Sequence, residues 1–249
     1  MYVYVPSLIV VGMIFAGSGS SSILIGLVLI ALMIIGGMPM KELLTAGAAG
    51  AACIGLMLGI HLASDGKLIK RAGTFLGRLT TDYNMNDLEG LKGDAYYDIL
   101  DDIRQPESAK VAVHEGKIIG KGIGNSTQKY KVDNIYGDFM YSFLIEEYGL
   151  IGGIIVIFLY VSLLARGSTI ARLCNNEYAK IAVGGLSVLI TGQAFMHMFV
   201  NVDIGPMTGQ TLPLISHGSF AFLVFCIAFG VILSISRMAR KRIKAEEEA

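Results

Sequence analysis

Apolar positions come in long blocks along this chain, with none of the alternation a strand protein would show. Four stretches, about 21–37, 43–63, 139–165 and 217–236, reach the roughly 20 mostly apolar residues that a helix needs to cross a bilayer core. A fifth, about 178–200, is interrupted by Gln193, His197 and several glycines. A short first run, about 2–16, stops at Gly17-Ser-Gly-Ser-Ser-Ser22 and reads as a half-span or interfacial helix, with its break where the backbone is not lipid-exposed. The pattern predicts an all-α polytopic membrane protein with five or six membrane helices and one long extracytoplasmic loop. The expected divisions are 1–63 (N-terminal helices), 64–138 (loop), 139–236 (C-terminal helices) and 237–249 (charged tail).

Basic residues orient the spans. Arg237, Arg240, Lys241, Arg242 and Lys244 follow the last span, while Arg166, Arg172 and Lys180 flank the turn near 166–178. Lysine and arginine in short loops mark the cytoplasmic side. Lys41 falls there by counting, which puts 64–138 and 201–216 outside and the C-terminus in the cytoplasm. The long loop holds 11 Lys/Arg against 12 Asp/Glu, a balance with no topological pull. Its Lys110-Val-Ala-Val-His114 and Lys117-Ile-Ile119 stretches suggest that it is partly folded, and loops of this length are usually functional or disordered.

Composition agrees: 53% hydrophobic and 16% charged, against about 45–50% and about 25% in soluble domains. A net charge of zero argues against nucleic acid as partner. Cys53, Cys174 and Cys226 have no metal-ligand spacing and read as small buried hydrophobes. No secretory leader pattern opens the chain.

Three segments carry chemistry. Ile118 to Lys129 is rich in glycine and hydroxyls. Its glycines at 120, 122 and 124 would let backbone N–H groups approach a phosphate beside Lys121 and Lys129, or else form a plain flexible turn. It lacks the Lys-Ser/Thr pair of a nucleotide-binding loop, and Asn125-Ser-Thr127 matches a glycosylation sequon of a kind common by chance. In Tyr136 to Gly153, Asp138 sits where the loop enters a helix, as a cap or as a base at the membrane surface. Glu146 and Glu147 lie two turns on, where an intramembrane acid faces protein or water, as a partner for a cation or as a structural pair. In Asn201 to Gly218, Pro206, Gly209 and Pro213 forbid a continuous helix. Asp203, Thr208, Gln210, Ser216 and His217 would line a polar cavity, with His197 as a hydrogen-bonded core residue.

In this order the motifs resemble the SEDS family (shape, elongation, division and sporulation proteins). The similarity runs through Gly122-Ile-Gly-Asn-Ser-Thr-Gln-Lys129, Gly137-Asp-Phe with Glu146-Glu147-x-Gly149-Leu-Ile-Gly152, Pro206-x-Thr-Gly-Gln-x-Leu-Pro-x-Ile-Ser216 and Ile232-x-Ser-Ile-Ser-Arg237. Gln105 to Gly120 falls in register with the segment that precedes the glycine stretch. The Asn-Ser-x-Gln form is closest to division-type members, and the wording around Phe139 and Glu146 is similar to Bacteroidetes-like versions. The chain looks like the C-terminal part of a protein of about ten spans. It departs from the family pattern at Gly17–Ser22, which lacks a Pro-Asp motif, at Ser216-His-Gly-Ser219, and at His197, where asparagine is usual.

The resemblance implies a peptidoglycan glycosyltransferase that polymerises lipid II on the outer face of the bacterial cytoplasmic (inner) membrane during septal cell-wall synthesis. Its implied partners are a class B penicillin-binding protein and other divisome membrane proteins. Asp138 aligns with the family's loop aspartate and is the candidate base. Gln105, Lys121, Asn125, Ser126, Lys129, Thr208 and Ser216 are candidate contacts for the lipid-linked diphosphate, with Glu146 and Glu147 as structural polar groups. No metal site is indicated and the cofactor is left open, a divalent cation included. A non-catalytic scaffold for the divisome and a transporter of lipid-linked precursor are the alternatives.

Overall fold

A computed structural model describes residues 4–63, 94–131, 134–204 and 208–247. Every apolar block is helical: α1 (Tyr4–Gly17), α2 (Gly19–Ile35), α3 (Met40–Ala63), then α4 (Asp94–Gly116), α5 (Ile135–Asp138), α6 (Met140–Leu173), α7 (Glu177–Asn201) and α8 (Ser219–Glu247). No strand occurs among the described residues. The protein is an all-α polytopic membrane protein. Among the described residues, three helices are long and apolar enough to cross a bilayer: α6, α7 and the part of α8 up to Lys241. α2 is shorter, at 17 residues.

The chain divides into two compact units. The first comprises residues 1–77, 162–192 and 224–249. Here the glycine–serine break expected over 17–22 narrows to one residue. Ser18, extended at φ −159°, accepts the Ser21 N–H and starts α2, so Gly19–Ser22 are already helical. Ser22, buried, donates to the Val11 carbonyl at 2.9 Å and ties α2 to α1. α2 ends in a Schellman turn: Met38 N–H reaches Met33 O, Gly37 N–H reaches Ile34 O, and Gly37 takes φ +77°. The side-chain tips of Ile35 and Leu32 on α2 rest against Gly184 and Gly185 of α7, 2.6 and 2.5 Å from where a Cβ would stand. Cys226 is exposed on α8, contrary to the buried setting expected of it, and Cys174 is half-buried. The side chain of Cys53 lies outside the described residues.

The second unit comprises residues 78–161 and 193–223. Within the described part of the loop, α4 buries Ala109, Ala112 and Gly116, spaced to share one helical face. Ala109, Ile135, Phe139 and Phe143 form a small core with Met140 against it.

α6 is broken at Gly149, where φ is +73° and ψ is −175°. Such a break leaves orphan N–H and C=O groups, which are costly wherever water is excluded. The loop after α4 satisfies them with its own backbone. Lys121 N–H donates to Glu146 O at 2.9 Å and Gly122 N–H to Glu147 O at 3.0 Å, while Leu150 and Ile151 N–H donate to Lys117 O and Ile118 O at 2.9 and 3.4 Å. The two backbones touch, since a Cβ on Gly149 would lie 2.2 Å from Ile118 O and one on Gly120 would lie 2.2 Å from Glu147 O. Gly149→Ala is therefore expected to undock the loop, because an essentially glycine-only conformation (about 1–3 kcal/mol) adds to a backbone clash. Amide exchange at Lys121 and Gly122 would rise, and unchanged protection there would refute this account of the break.

The segment after α7 is irregular over 202–204 and 208–218, as its prolines and glycine require; Pro206 itself lies outside the described residues. Its carbonyls are met by side chains: Tyr160 donates to Pro213 O at 2.5 Å and Gln193 to Thr211 O at 3.1 Å. This is the arrangement that permits non-helical backbone at membrane depth.

Candidate functional site

A small cleft in the second unit is lined by Asp138, Phe139, His197, Val200, Thr208, Gly209 and Gln210. Asp138 ends α5, separated from the start of α6 by Phe139 alone, and is partly exposed. Its carboxylate accepts one side-chain hydrogen bond among the described residues, from Asn134 Nδ2 at 3.1 Å.

The backbone around Asp138 is gripped more firmly than its side chain. Asn201, 1% exposed, donates from Nδ2 to the carbonyls of Asp138 (3.1 Å) and His197 (2.9 Å). Its Oδ1 accepts the Ser142 N–H at 2.9 Å and the Ser142 hydroxyl at 2.7 Å. Ser216 bonds Gly137 O and receives Leu212 N–H, both at 2.8 Å, so the segment after α7 holds the residue next to Asp138. His217 N–H adds a bond to Tyr136 O at 2.8 Å, while its side chain is exposed.

His197, 1% exposed, accepts the Tyr141 N–H on Nε2 at 3.4 Å. The network thus assigns the ring proton to Nδ1, which donates to Gln210 O at 2.6 Å. His197 and Asn201 together cap two of the orphan N–H groups that open α6, those of Tyr141 and Ser142. The histidine expected in the core is there, and it also forms a wall of the cleft. Asn201→Ala should cost about 2–3 kcal/mol, since it leaves buried polar partners unpaired. A thermal shift in detergent would measure the loss, and a change under about 0.5 kcal/mol would refute the clamp.

A second cluster gathers at the broken turn of α6. Glu146, fully buried, accepts from Lys121 Nζ at 2.8 Å, Ser126 Oγ at 2.5 Å, Thr127 N–H at 2.9 Å and Thr127 Oγ1 at 3.0 Å. Lys121 Nζ also pairs with Glu115 and donates to Thr127 Oγ1 at 2.8 Å, so all three of its protons are engaged. Glu147 accepts Gly124 N–H at 2.9 Å. Burial opposes the charge on Lys121, but the hydrogen bonds and attraction of Glu115 and Glu146 outweigh it and hold the ammonium above its ordinary range. The Lys121 hydrogen bond, helped by Thr127, holds the Glu115 carboxyl low despite partial desolvation.

The candidates therefore separate. Asp138 and Thr208 share the cleft, with Ser216 buried behind it. Lys121, Ser126, Glu146 and Glu147 belong to the second cluster. Asn125 is exposed and donates to Lys121 O at 3.1 Å; Lys129, half-buried, donates to Gly124 O at 2.6 Å. Gln105 sits half-buried on α4 and is not among the cleft's lining residues.

The family model for FtsW, RodA and SpoVE, described as cell cycle protein, matches residues 1–241. The chain belongs to the FtsW/RodA/SpoVE family. Among relatives, it is 35% identical over 161 residues to the probable peptidoglycan glycosyltransferase FtsW of Marinobacter nauticus, covering 61% of this chain and 40% of that protein. It is 34% identical over 133 residues to the peptidoglycan glycosyltransferase MrdB of Escherichia coli K12, covering 51% and 35%. The chain thus spans 35–40% of the length of these FtsW relatives. Its fold resembles a chain from the structure described as "Structural coordination of polymerization and crosslinking by a peptidoglycan synthase complex", with TM-score 0.60, 22% identity, and 94% of this chain and 60% of that one covered.

Within this family-wide frame, Asn201 is the site residue that sequence reading passed over. Its signal was present, an asparagine closing an apolar helix just before a proline–glycine segment, but its four bonds reach residues 138, 142 and 197. Nothing local in the sequence names those partners.

Proposed function

We propose that this chain carries the reaction centre of a peptidoglycan glycosyltransferase that polymerises lipid II, with Asp138 as general base. The supporting observation is a carboxylate open to a cleft while Asn201 and Ser216 clamp the backbone on either side of it. In the reaction, the 4-hydroxyl of one lipid-linked disaccharide attacks the anomeric carbon of another. A glycosidic C–O bond forms, the bond to the diphosphate breaks, and undecaprenyl diphosphate departs. Asp138 takes the hydroxyl proton as the nucleophile attacks.

Thr208 lines the same cleft and is a proposed substrate contact, with Lys129, Asn125 and Gln105 as weaker ones. Lys121 and Ser126 are better assigned to fastening the loop, since the Glu146 network occupies them, and Ser216 to holding Gly137. We further place the C-terminus, with its basic run from Arg237 to Lys244, in the cytoplasm and Asp138 on the outer face. A class B transpeptidase and other divisome membrane proteins are the proposed partners.

The test is purified protein in vesicles with lipid II, measuring both glycan strands and transbilayer movement of the lipid. Strands support the transferase. Movement without strands would replace it with a transporter, and neither activity would leave a scaffold.

A further inference from the structure

Residues 116–131 contain four lysines, at 117, 121, 129 and 131, and no Asp or Glu. Lys121 is neutralised within the fold, while Lys117 and Lys131 are exposed and Lys129 is partly so. Among them Ile118, Ile119 and Ile123 are 67%, 80% and 75% exposed and Tyr130 is 83% exposed. Large aliphatic side chains bared so close together mark an interaction surface.

Backbone register says what lies against this surface. The bonds from Leu150 and Ile151 N–H to Lys117 and Ile118 O hold the isoleucines level with the turn after the α6 break. Leu150 and Ile151, about half exposed, begin an outward apolar band that continues through Ile154, Ile155, Phe158 and Leu159. From Leu150 to Ala165 the sequence has no charged residue. At 1.5 Å per residue this band is about 24 Å long, short of the roughly 30 Å hydrocarbon core. Arg166 is the first charge beyond this band, so with the far hydrocarbon edge level with it the edge on this side falls at or before Leu150, at the depth of the docked loop.

We propose that this loop is an interfacial membrane element. Ile118, Ile119 and Ile123 enter the acyl boundary of the leaflet, and Lys117, Lys129, Lys131 and Tyr130 lie among its phosphate headgroups. The occupant is bilayer lipid because the surface continues the lipid-facing band of α6, and its composition combines aliphatic residues, interfacial tyrosine and unopposed lysine. This proposal does not depend on the transferase reading.

The chain has no tryptophan, so Ile119→Trp and Ile123→Trp each introduce a single probe. Each variant would be reconstituted alone in vesicles containing phosphatidylglycerol, after circular dichroism and gel filtration show a native helical, monodisperse protein. A blue-shifted emission, quenched by phospholipid brominated near the top of the acyl chain and little by aqueous iodide, is expected at both positions. Emission at the water value with strong iodide quenching would overturn the proposal. So would blue-shifted emission that neither agent quenches and that depends on protein density, which would mean that a second copy covers the loop.

Discussion

Asp138→Asn is expected to lower lipid II polymerisation by about 10²- to 10⁴-fold, the range typical of losing a general base. The substitution is close to isosteric. The Asn134 amide can still donate to the new side-chain oxygen, and Asn201 and Asp138 are joined through the backbone carbonyl, which the substitution leaves in place. Insertion and thermal stability should stay near those of the parent chain, so a loss of activity would be chemical. The measurement is strand formation from purified lipid II beside a melting curve. Activity within a factor of a few of the parent would remove Asp138 from the mechanism.

The second large effect is expected at Lys121. Lys121→Met leaves Glu146 fully buried with hydroxyl and amide donors but no cation. Breaking a buried pair by removing one partner costs 3–5 kcal/mol, and about 3 kcal/mol is the better figure here because Lys121 is a quarter exposed. The double variant Lys121→Met with Glu146→Gln should recover part of that loss, since no charge is then stranded. Melting temperatures of the three variants would show it, and a single variant as stable as the parent would refute the fastening role.

Proton binding at the same cluster gives the pH range. Glu115, held below its ordinary 4.5, contributes fully above that value and loses its contribution as pH falls through its lowered folded value. Lys121, held above its ordinary 10.5, contributes fully below that value and loses it as pH rises through its raised one. Loop docking should therefore be flat between those limits.

Read as a chain, the sequence set the helices, the apolar blocks and the order of motifs. Length and hydropathy are local sums, and a run of about 20 apolar residues has few alternatives to a helix in lipid. The irregular backbone after α7 was equally legible, because proline and glycine act on their own positions. Even Asp138 could be singled out by its place at a loop-to-helix junction.

Partners were not legible. Whether Lys121 faces a phosphate or a carboxylate depends on Glu146, 25 positions away, and Asn201 reaches Asp138 across 63. Gly149 lies within an apolar run, and only its positive φ and the loop's backbone show a break there that is repaired from outside the helix. Such facts belong to the tertiary structure alone, because a polar group's role is set by what lies within hydrogen-bond reach of it, and chain folding rather than sequence spacing decides that distance. The sequence determined a helical membrane protein with a polar loop. The fold decided that one end of that loop opens a cleft at Asp138 while its glycine stretch fastens a broken helix.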